Sequence, residues 1–226
     1  MKYPGEELDN FDKATVWRKY IYFEIKKYIV GKVLEVGAGI GSFTNNYMGR
    51  TNEITLSEVD EGNFEIIKEK FKNYNIEITK KTTSELNDKF NTIMYLNVLE
   101  HIEKDKDEIE AALHKLEKGG HLIILVPAHN KLYSNFDKAV GHFKRYEMSF
   151  FKNLGLNNCE TQKLVYLDAM GYFLYYLNKI FFSKETYPSK FKIFIWDKIF
   201  TPSTFIIDKF LMNKFGKNIL YVAKKL

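Results

Sequence analysis

Five short apolar runs, separated by amphipathic stretches, organise the first two thirds of the chain. They cover residues 33–36, 53–57, 76–79, 90–96 and 121–126. The stretches between them, such as 61–72 and 105–116, repeat apolar residues at helical spacing. Strands that alternate with helices in this way predict an α/β fold with a parallel sheet and right-handed crossovers.

The first apolar run leads into a glycine-rich loop. Gly37, Gly39 and Gly41 follow the run directly, and glycine lets a backbone turn sharply and approach a ligand closely. Residues 42–48 can then start a helix whose free N–H groups point toward the bound molecule. Strand, loop and helix together predict a nucleotide-type binding site.

Two kinds of ligand compete for such a loop. A dinucleotide fingerprint requires a glycine or alanine where this chain has Ser42. Glu35, just before the loop, would repel a pyrophosphate and suit a cation. S-adenosylmethionine carries a sulfonium and an ammonium group and no phosphate. The charge therefore favours this cofactor over a nicotinamide dinucleotide.

Two motifs resemble those of a known family, the class I S-adenosylmethionine-dependent methyltransferases. Leu34-Glu-Val-Gly-Ala-Gly-Ile-Gly41 is similar to the family's first motif, and Asn97-Val-Leu-Glu-His-Ile102 to its fourth. The resemblance implies a seven-stranded, mostly parallel, doubly wound Rossmann-like sheet with a reversed last strand. Residues 161–167 and 218–223 would form the reversed hairpin, with an α-helical insertion between them.

On this interpretation residues 1–226 form a single methyltransferase domain. Its parts are an N-terminal helical cover (1–30), a cofactor-binding core (31–167), an aromatic helical insertion (168–217) and the last strand (218–226). The cover is predicted as one helix over 9–29, capped by Asp9 or Asn10. In proteins that resemble this one such a helix often closes over the cofactor, which makes Trp17 and Tyr20 candidates for lining the site.

The resemblance also implies a set of cofactor-binding residues. They are Glu35, Gly37, Ala38, Gly39, Glu58, Val59, Thr82, Thr83 and Asn97. Glu58 ends the second strand and can accept hydrogen bonds from both ribose hydroxyls, while Asp60 is the alternative that better suits a helix cap. Val59 would lie against the adenine and Asn97 would meet the methionine part. Thr82 stands where the family usually has an acid or amide, so its contact with the adenine amino group is weaker or made by a backbone group.

A long polar and aromatic loop, residues 128–146, follows the fifth strand at the ligand end of the sheet, where long loops are usually functional. Its Gly-His-x-x-Arg-Tyr element resembles that of a subgroup of small-molecule and glycan-type methyltransferases. His142 is the candidate general base, since an imidazole titrates near neutrality; His129 is a lesser alternative. Arg145 can clamp an anionic or hydroxyl-rich acceptor, and Tyr146 can orient it. Equally, Arg145 and His142 can simply pin the loop to the domain.

Glu100 and His101 also invite a metal interpretation. Two adjacent ligands with no third at a suitable spacing are weak evidence for a metal site. The sequence therefore predicts no metal, and His101 is interpreted as a structural or pocket-wall residue.

The expected reaction is methyl transfer from S-adenosylmethionine to a small-molecule, sugar or lipid-linked acceptor. Because the leaving group is already activated, catalysis rests mainly on positioning, with at most one base. His142 favours oxygen as the acceptor atom. The alternatives are methylation of a small amine, a nucleic-acid methyltransferase, and a non-catalytic module that binds the cofactor. No basic stripe with stacking aromatic residues is evident, so we expect no nucleic-acid partner.

Composition adds a few limits. The net charge of +5 comes from lysines interleaved with acids, which indicates solubility more than an anionic partner. The single cysteine, Cys159, excludes an internal disulfide and fits a reducing compartment. With no apolar targeting core and no run long enough to cross a membrane, we expect a cytoplasmic protein.

The insertion is crowded with aromatic residues between Tyr172 and Phe215. Such residues are most often core, here of a few helices packed on the substrate side. A lid, a dimer face and peripheral membrane contact through 168–217 are the sharper alternatives. Lysines permit the last of these, at positions 179, 184, 190, 192 and 198.

Overall fold

Seven strands form one sheet in the computed structural model, which describes residues 8–181 and 187–226. They are β1 (Val33–Val36), β2 (Ile54–Ser57), β3 (Ile76–Thr79), β4 (Phe90–Leu96), β5 (Leu116–Pro127), β6 (Cys159–Leu167) and β7 (Asn218–Lys225). Their order is β3-β2-β1-β4-β5-β7-β6, and β7 runs antiparallel to both of its neighbours. The first five strands pair in parallel. The predicted sheet with a reversed last strand is confirmed.

Ten α-helices accompany the sheet in the described residues. They are α1 (Leu8–Phe11), α2 (Thr15–Ile25), α3 (Thr44–Tyr47), α4 (Glu61–Lys70), α5 (Asp105–Lys115), α6 (Asn135–Ala139), α7 (Met148–Lys152), α8 (Ala169–Phe181), α9 (Lys190–Ile195) and α10 (Thr201–Phe210). A π-helical turn, Trp196–Phe200, joins α9 to α10.

Two apolar layers cover the two faces of the sheet because successive strand residues point to opposite sides. Val33 of β1 packs in the layer that includes α2 and α4. Its neighbour Leu34 packs in the other layer, with Ile109 of α5 and Phe151 of α7. The central strands β1 and β2 are buried at every position, and so on both faces, as expected in a doubly wound sheet.

The prediction of one helix over residues 9–29 is wrong, because the chain turns between α1 and α2. Asp197 replaces a local cap: its carboxylate accepts the N–H groups of Val16 and Trp17 at 3.2 and 2.8 Å. Asp12, in the turn, lies 2.5 Å from the Ser42 hydroxyl of the glycine loop. A distant carboxylate thus satisfies the free N–H groups at the start of α2.

The fifth strand is longer than predicted. The apolar run covers residues 121–126, but β5 begins at Leu116, which pairs with Phe90. The register shifts between Phe90 and Thr92, so the extra residues form a bulge. Gly119 lies there at φ +79°, a conformation that glycine adopts readily.

The insertion is helical, as predicted, and α10 is fixed to α2 by a buried carboxylate. Asp208 accepts the Tyr20 hydroxyl at 2.5 Å and the N–H groups of Asp168 and Ala169 at 2.6 and 2.9 Å. Tyr20 is 1% exposed, so it faces the insertion and does not line a ligand site. Trp17 packs against Trp196.

The outer surface of the insertion carries exposed aromatic rings. Phe191, Phe194 and Phe210 are 70%, 55% and 85% exposed. The functions considered for this surface stay predictions; Lys184 lies outside the described residues, as does the side chain of Lys179. Among the described helices, none has both the length and the apolar character needed to cross a membrane.

Candidate active site

The loop between β1 and α3 needs glycine at several positions. Gly37, Gly39 and Gly41 have φ values of +64°, +57° and +68°, which L-residues rarely adopt. A Cβ on Gly37 would lie 2.7 Å from Val98 Cγ2, and a Cβ on Gly41 would lie 2.5 Å from Phe71. The loop therefore packs directly on the segment that follows β4.

Glu35 is buried beneath this loop. Its Oε2 accepts the hydroxyls of Thr44 and Tyr47, both at 2.7 Å, which holds α3 against β1. Burial raises the pKa of Glu35 to about 7, although these hydrogen bonds and the charge of Lys70 oppose the shift. Burial thus favours the protonated form of this carboxyl group more strongly than water does.

Glu58 lies at the end of β2, beside the glycine loop. Its two oxygens accept the N–H groups of Gly39 and Asp60, at 2.7 and 2.8 Å. Burial raises the pKa of Glu58, with the backbone hydrogen bonds opposing the shift. The adjacent Val59 is 40% exposed and presents an apolar surface. Asp60 caps α4 by accepting Asn63 N–H at 2.8 Å, as predicted.

The two threonines after β3 face in different directions. Thr82 is exposed and caps a 3₁₀ turn over Thr83–Glu85, where it and Glu85 form a capping box. Thr83 is fully buried, and its hydroxyl lies 2.9 Å from the Tyr95 hydroxyl. The side chain of Thr83 therefore faces the core and leaves only its backbone to meet a ligand.

Asn97 ends β4 in a left-handed conformation. Its φ is +57°, and its N–H donates to Leu125 O at 2.8 Å. Asparagine tolerates this conformation better than most residues, and such backbone strain clusters at functional sites. The turn at Asn97 brings Val98 against Gly37 and leads into Glu100 and His101.

The loop after β5 is organised around one carboxylate, Asp137, at the start of α6. Its Oδ1 lies 2.8 Å from His142 Nδ1 and accepts Arg145 Nε–H at 2.9 Å. Its Oδ2 accepts the Ser134 N–H at 2.9 Å and the Tyr175 hydroxyl at 3.1 Å. Burial alone would raise the pKa of Asp137, but the hydrogen bonds and positive charges outweigh it and lower the pKa to about 2.

Arg145 and Tyr146 are both turned into the protein. Arg145 is 3% exposed and, besides Asp137, contacts the Tyr175 ring at 4.4 Å. Tyr146 is 1% exposed, and its hydroxyl donates to Asp105 at 2.8 Å. This geometry favours the anchoring alternative considered for Arg145, and it suits an anchoring role for Tyr146 as well.

His142 is brought next to Glu100 and His101. Its Nε2 lies 3.8 Å from Glu100 Oε1, and its ring centroid is 4.6 Å from that of His101. Burial raises the pKa of Glu100 to about 7, with His142 opposing the shift. Burial, followed by the charge of His142, lowers the pKa of His101 to about 4. The structure thus places His142 as a third ligand-type residue beside Glu100 and His101, which the sequence did not reveal.

His129, the lesser candidate base, lies in an aromatic box at the insertion. It is 9% exposed, stacks on Tyr166, and its Nε2 lies 3.0 Å from Gly216 O. Burial lowers its pKa, although the contact with Gly216 opposes the shift. The imidazole of His129 is thus packed against residues of the insertion.

Comparisons with known proteins agree with this arrangement. A family model described as a methyltransferase domain matches residues 14–163. The chain is a methyltransferase. It belongs to the class I, S-adenosylmethionine-dependent group that its motifs resemble, so the predicted family and the predicted cofactor are both confirmed. No curated protein matches the sequence.

Solved structures of similar fold are distant in sequence. An S-adenosylmethionine-dependent methyltransferase from Clostridium acetobutylicum has 15% identity and a TM-score of 0.61, with 97% of this chain and 95% of that chain covered. The N-methyltransferase NodS from Bradyrhizobium japonicum, in complex with S-adenosyl-L-homocysteine, has 13% identity and a TM-score of 0.60, with 97% and 90% covered. Coclaurine N-methyltransferase has 13% identity and a TM-score of 0.63, with 94% and 72% covered.

Several residues of the methyltransferase site escaped the sequence analysis. Thr44 and Tyr47, the partners of Glu35, stand on a helix of ordinary composition, and no motif marks them. Asp137 had a usable signal, because Ser134 three residues earlier completes a capping box. That pattern predicts the start of a helix and says nothing of His142 or Arg145.

Proposed function

We propose that this methyltransferase transfers the sulfonium methyl of S-adenosylmethionine to an oxygen of a small-molecule, sugar or lipid-linked acceptor. One observation carries the proposal: the glycine loop and the histidine-bearing loop meet through the segment after β4. Gly37 packs on Val98, and Phe143 N–H donates to Glu100 O at 2.9 Å. A cofactor on the first loop and an acceptor on the second would therefore be neighbours.

The cofactor would lie along the carboxyl ends of β1, β2 and β4, where open α/β sheets bind ligands. Glu58 is the proposed ribose ligand, because a carboxylate has about four acceptor sites and the N–H groups of Gly39 and Asp60 do not fill them all. Val59 would cover the adenine, with Thr82 and the backbone of Thr83 beside it. Asn97 would meet the methionine end.

The glycine loop supplies close backbone contact and charge. Gly37, Ala38 and Gly39 place little or no side chain between the backbone and the cofactor. Glu35 lies beneath them and favours a cationic ligand, which would in turn lower the carboxylate pKa. This role complements its hydrogen bonds to α3.

Chemistry would be an in-line displacement in which the acceptor oxygen attacks the methyl carbon and the sulfonium leaves as a neutral thioether. His142 is the proposed base for the hydroxyl proton, with Asp137 fixing its Nδ1. Arg145 and Tyr146 would act as positioning residues through Asp137 and Asp105. Exposed rings such as Phe191 and Phe194 are where the apolar tail of a lipid-linked acceptor would lie.

N-methylation of a small amine is the second candidate. Two structural neighbours, NodS and coclaurine N-methyltransferase, are N-methyltransferases, which favours it. An amine attacks in its neutral form and needs no base during transfer. Product analysis after turnover with matched alcohol and amine acceptors distinguishes the two reactions.

Calorimetry on the untagged chain tests the cofactor half of the proposal. S-adenosylmethionine and its demethylated product should bind, and a nicotinamide dinucleotide should not. Glu58→Ala should weaken binding by about 10- to 100-fold through loss of charge-assisted hydrogen bonds. Glu61→Ala, at an exposed glutamate paired with Lys80, is the matched control. Tight dinucleotide binding without S-adenosylmethionine binding would overturn the proposal.

A further inference from the structure

Glu100 is a buried carboxylate without a hydrogen-bond partner. It is 1% exposed, and neither of its oxygens is hydrogen-bonded within the described residues. Burying an ionised carboxylate is costly unless the charge is paired or coordinates a metal. A cation bound between this carboxylate and the two neighbouring histidines would stabilise its ionised form.

The orientation of His142 fits a metal ligand. Asp137 Oδ1 lies 2.8 Å from Nδ1, which leaves the lone pair of Nε2 facing Glu100 Oε1 at 3.8 Å. Two ligand atoms about 2.0–2.2 Å from a common tetrahedral ion lie about 3.5 Å apart. A carboxylate that fixes the far nitrogen of a metal-bound histidine is a recurring arrangement.

His101 completes the group. One ligand atom from each of Glu100, His101 and His142 lies within 4.8 Å of the others. The two rings stand edge to face at 73°, so the set is compact. Two imidazoles and one carboxylate also form the ligand set of open zinc sites and of non-haem iron sites.

We propose that Glu100, His101 and His142 bind a divalent first-row transition metal ion at the inner end of the loop 128–146. Three protein ligands leave at least one coordination position for water or an oxygen of another molecule. Imidazole ligands favour zinc, cobalt or iron over magnesium, which prefers oxygen ligands and retains its waters.

The competing explanation is a plain ion pair between protonated His142 and Glu100. Such a pair would be expected to close to about 2.7–2.9 Å, the usual distance for a charge-assisted hydrogen bond. The observed 3.8 Å leaves a gap between the atoms. Another pair of the same kind, His114 Nε2 and Glu110 Oε1 at 3.9 Å, lies on the exposed face of α5 and provides a control without burial.

The metal-binding proposal does not depend on the proposed reaction. A catalytic role for the ion does rest on the proposed methyl transfer. The ion would lower the pKa of an acceptor hydroxyl bound at its open coordination position, as metals do for bound water. His142 would then hold the ion, and the hydroxyl would lose its proton to solvent. Removal of the ion with a chelator would lower turnover and leave cofactor binding intact.

The test uses the untagged full chain, stripped with a chelator and free of cofactor. Zn²⁺ is titrated by calorimetry, Co²⁺ is followed by its visible d–d absorption, and Mg²⁺ is titrated separately. We expect one equivalent of Zn²⁺ or Co²⁺ to bind. Glu100→Gln and His142→Asn should each weaken binding by more than about 100-fold, because a lost ligand costs more than a lost outer partner. His114→Asn should bind like the wild type.

Circular dichroism checks that each variant is folded. If His142→Asn does not fold, the metal-binding test rests on Glu100→Gln alone. The proposal is overturned if the wild type binds neither Zn²⁺ nor Co²⁺, or if both variants bind as the wild type does. Binding of Mg²⁺ alone would contradict the assigned class of metal. Because cofactor binding is measured separately, failure here leaves the methyl-transfer proposal standing.

Discussion

Two buried glutamates flank the centre of the methyltransferase sheet, and their environments differ. Glu35 in β1 and Glu100 after β4 are 3% and 1% exposed, and burial raises the pKa of each to about 7. Glu35 accepts two hydroxyls from α3. Glu100 accepts no hydrogen bond in the described structure and instead faces His142.

The difference shows that a raised pKa alone does not identify the role of a carboxylate. Burial produces the same shift at both sites, while the hydrogen-bond partners separate a residue that joins two elements from one that is available to a ligand. Glu35 joins β1 to α3 in what we propose as the cofactor half of the site, the glycine loop and the ends of β1 and β2. Glu100 contacts the loop 128–146, the proposed acceptor half, in which Asp137 bonds His142 and Arg145.

The largest expected effect is that of Asp137→Asn. The substitution leaves the Arg145 guanidinium buried without its carboxylate, and the new amide group opposes donors from Ser134 and Tyr175. Breaking a buried ion pair from one side costs about 3–5 kcal/mol. Urea unfolding should show a loss of this size in the free energy of unfolding.

An exposed aspartate on α5 supplies the control. Asp107→Asn should change stability by less than about 0.5 kcal/mol. Folded Asp137→Asn protein should still bind S-adenosylmethionine, because Asp137 contacts no residue of the glycine loop. A loss below about 1 kcal/mol would show that the acceptor half does not depend on this carboxylate.

The second effect concerns the pH dependence that Glu35 confers. Its pKa is 4.5 as a free group and about 7 in the folded protein, so the folded state binds more protons between these values. Stability contributed by this group therefore falls as pH rises from about 4.5 to 7, by about 3 kcal/mol in total. Glu35→Gln removes the dependence and keeps an acceptor for Thr44 and Tyr47.

Unfolding free energies of the wild type and Glu35→Gln, measured without cofactor, should differ little at pH 4.5 and diverge toward pH 8, where the variant is more stable. Taking the difference cancels Glu58 and Glu100, whose pKa values are also raised. Glu65→Gln, at a glutamate 57% exposed, should show no such divergence. A constant difference across the range would show that Glu35 stays ionised in the folded protein.

Much of the cofactor half could be predicted from the sequence because its signals are local. Residues 90–96 and 76–79 form the strands that their apolar patterns predict. Asp60 caps α4 as its position before a helical pattern indicates. The glycine loop falls where one motif places it, since turn, strand and helix are adjacent in the chain.

The acceptor half was less accessible because its contacts join distant residues. His142 meets Glu100 across 42 positions, and Asp197 caps α2 across about 180. No periodicity or motif records such a pair. Arg145 and Tyr146 show the same limit: their residue types suit an acceptor site, and only their burial against Asp137 and Asp105 favours an anchoring role.

The smallest expected effect tests whether the two halves are joined at Gly37. In Gly37→Ala the left-handed backbone costs about 1–2 kcal/mol, and the new methyl would meet Val98, two residues before Glu100. Gly49→Ala is the matched control, since no atom lies within 4 Å of its added Cβ, and it should be neutral or slightly stabilising. The melting temperature and the affinity for S-adenosylmethionine should both fall in Gly37→Ala but not in Gly49→Ala. If Gly37→Ala also weakens Co²⁺ binding at Glu100, the displacement of Val98 has altered the proposed metal site. If Co²⁺ binding is unchanged, the surroundings of Glu35 and Glu100 respond independently to the substitution.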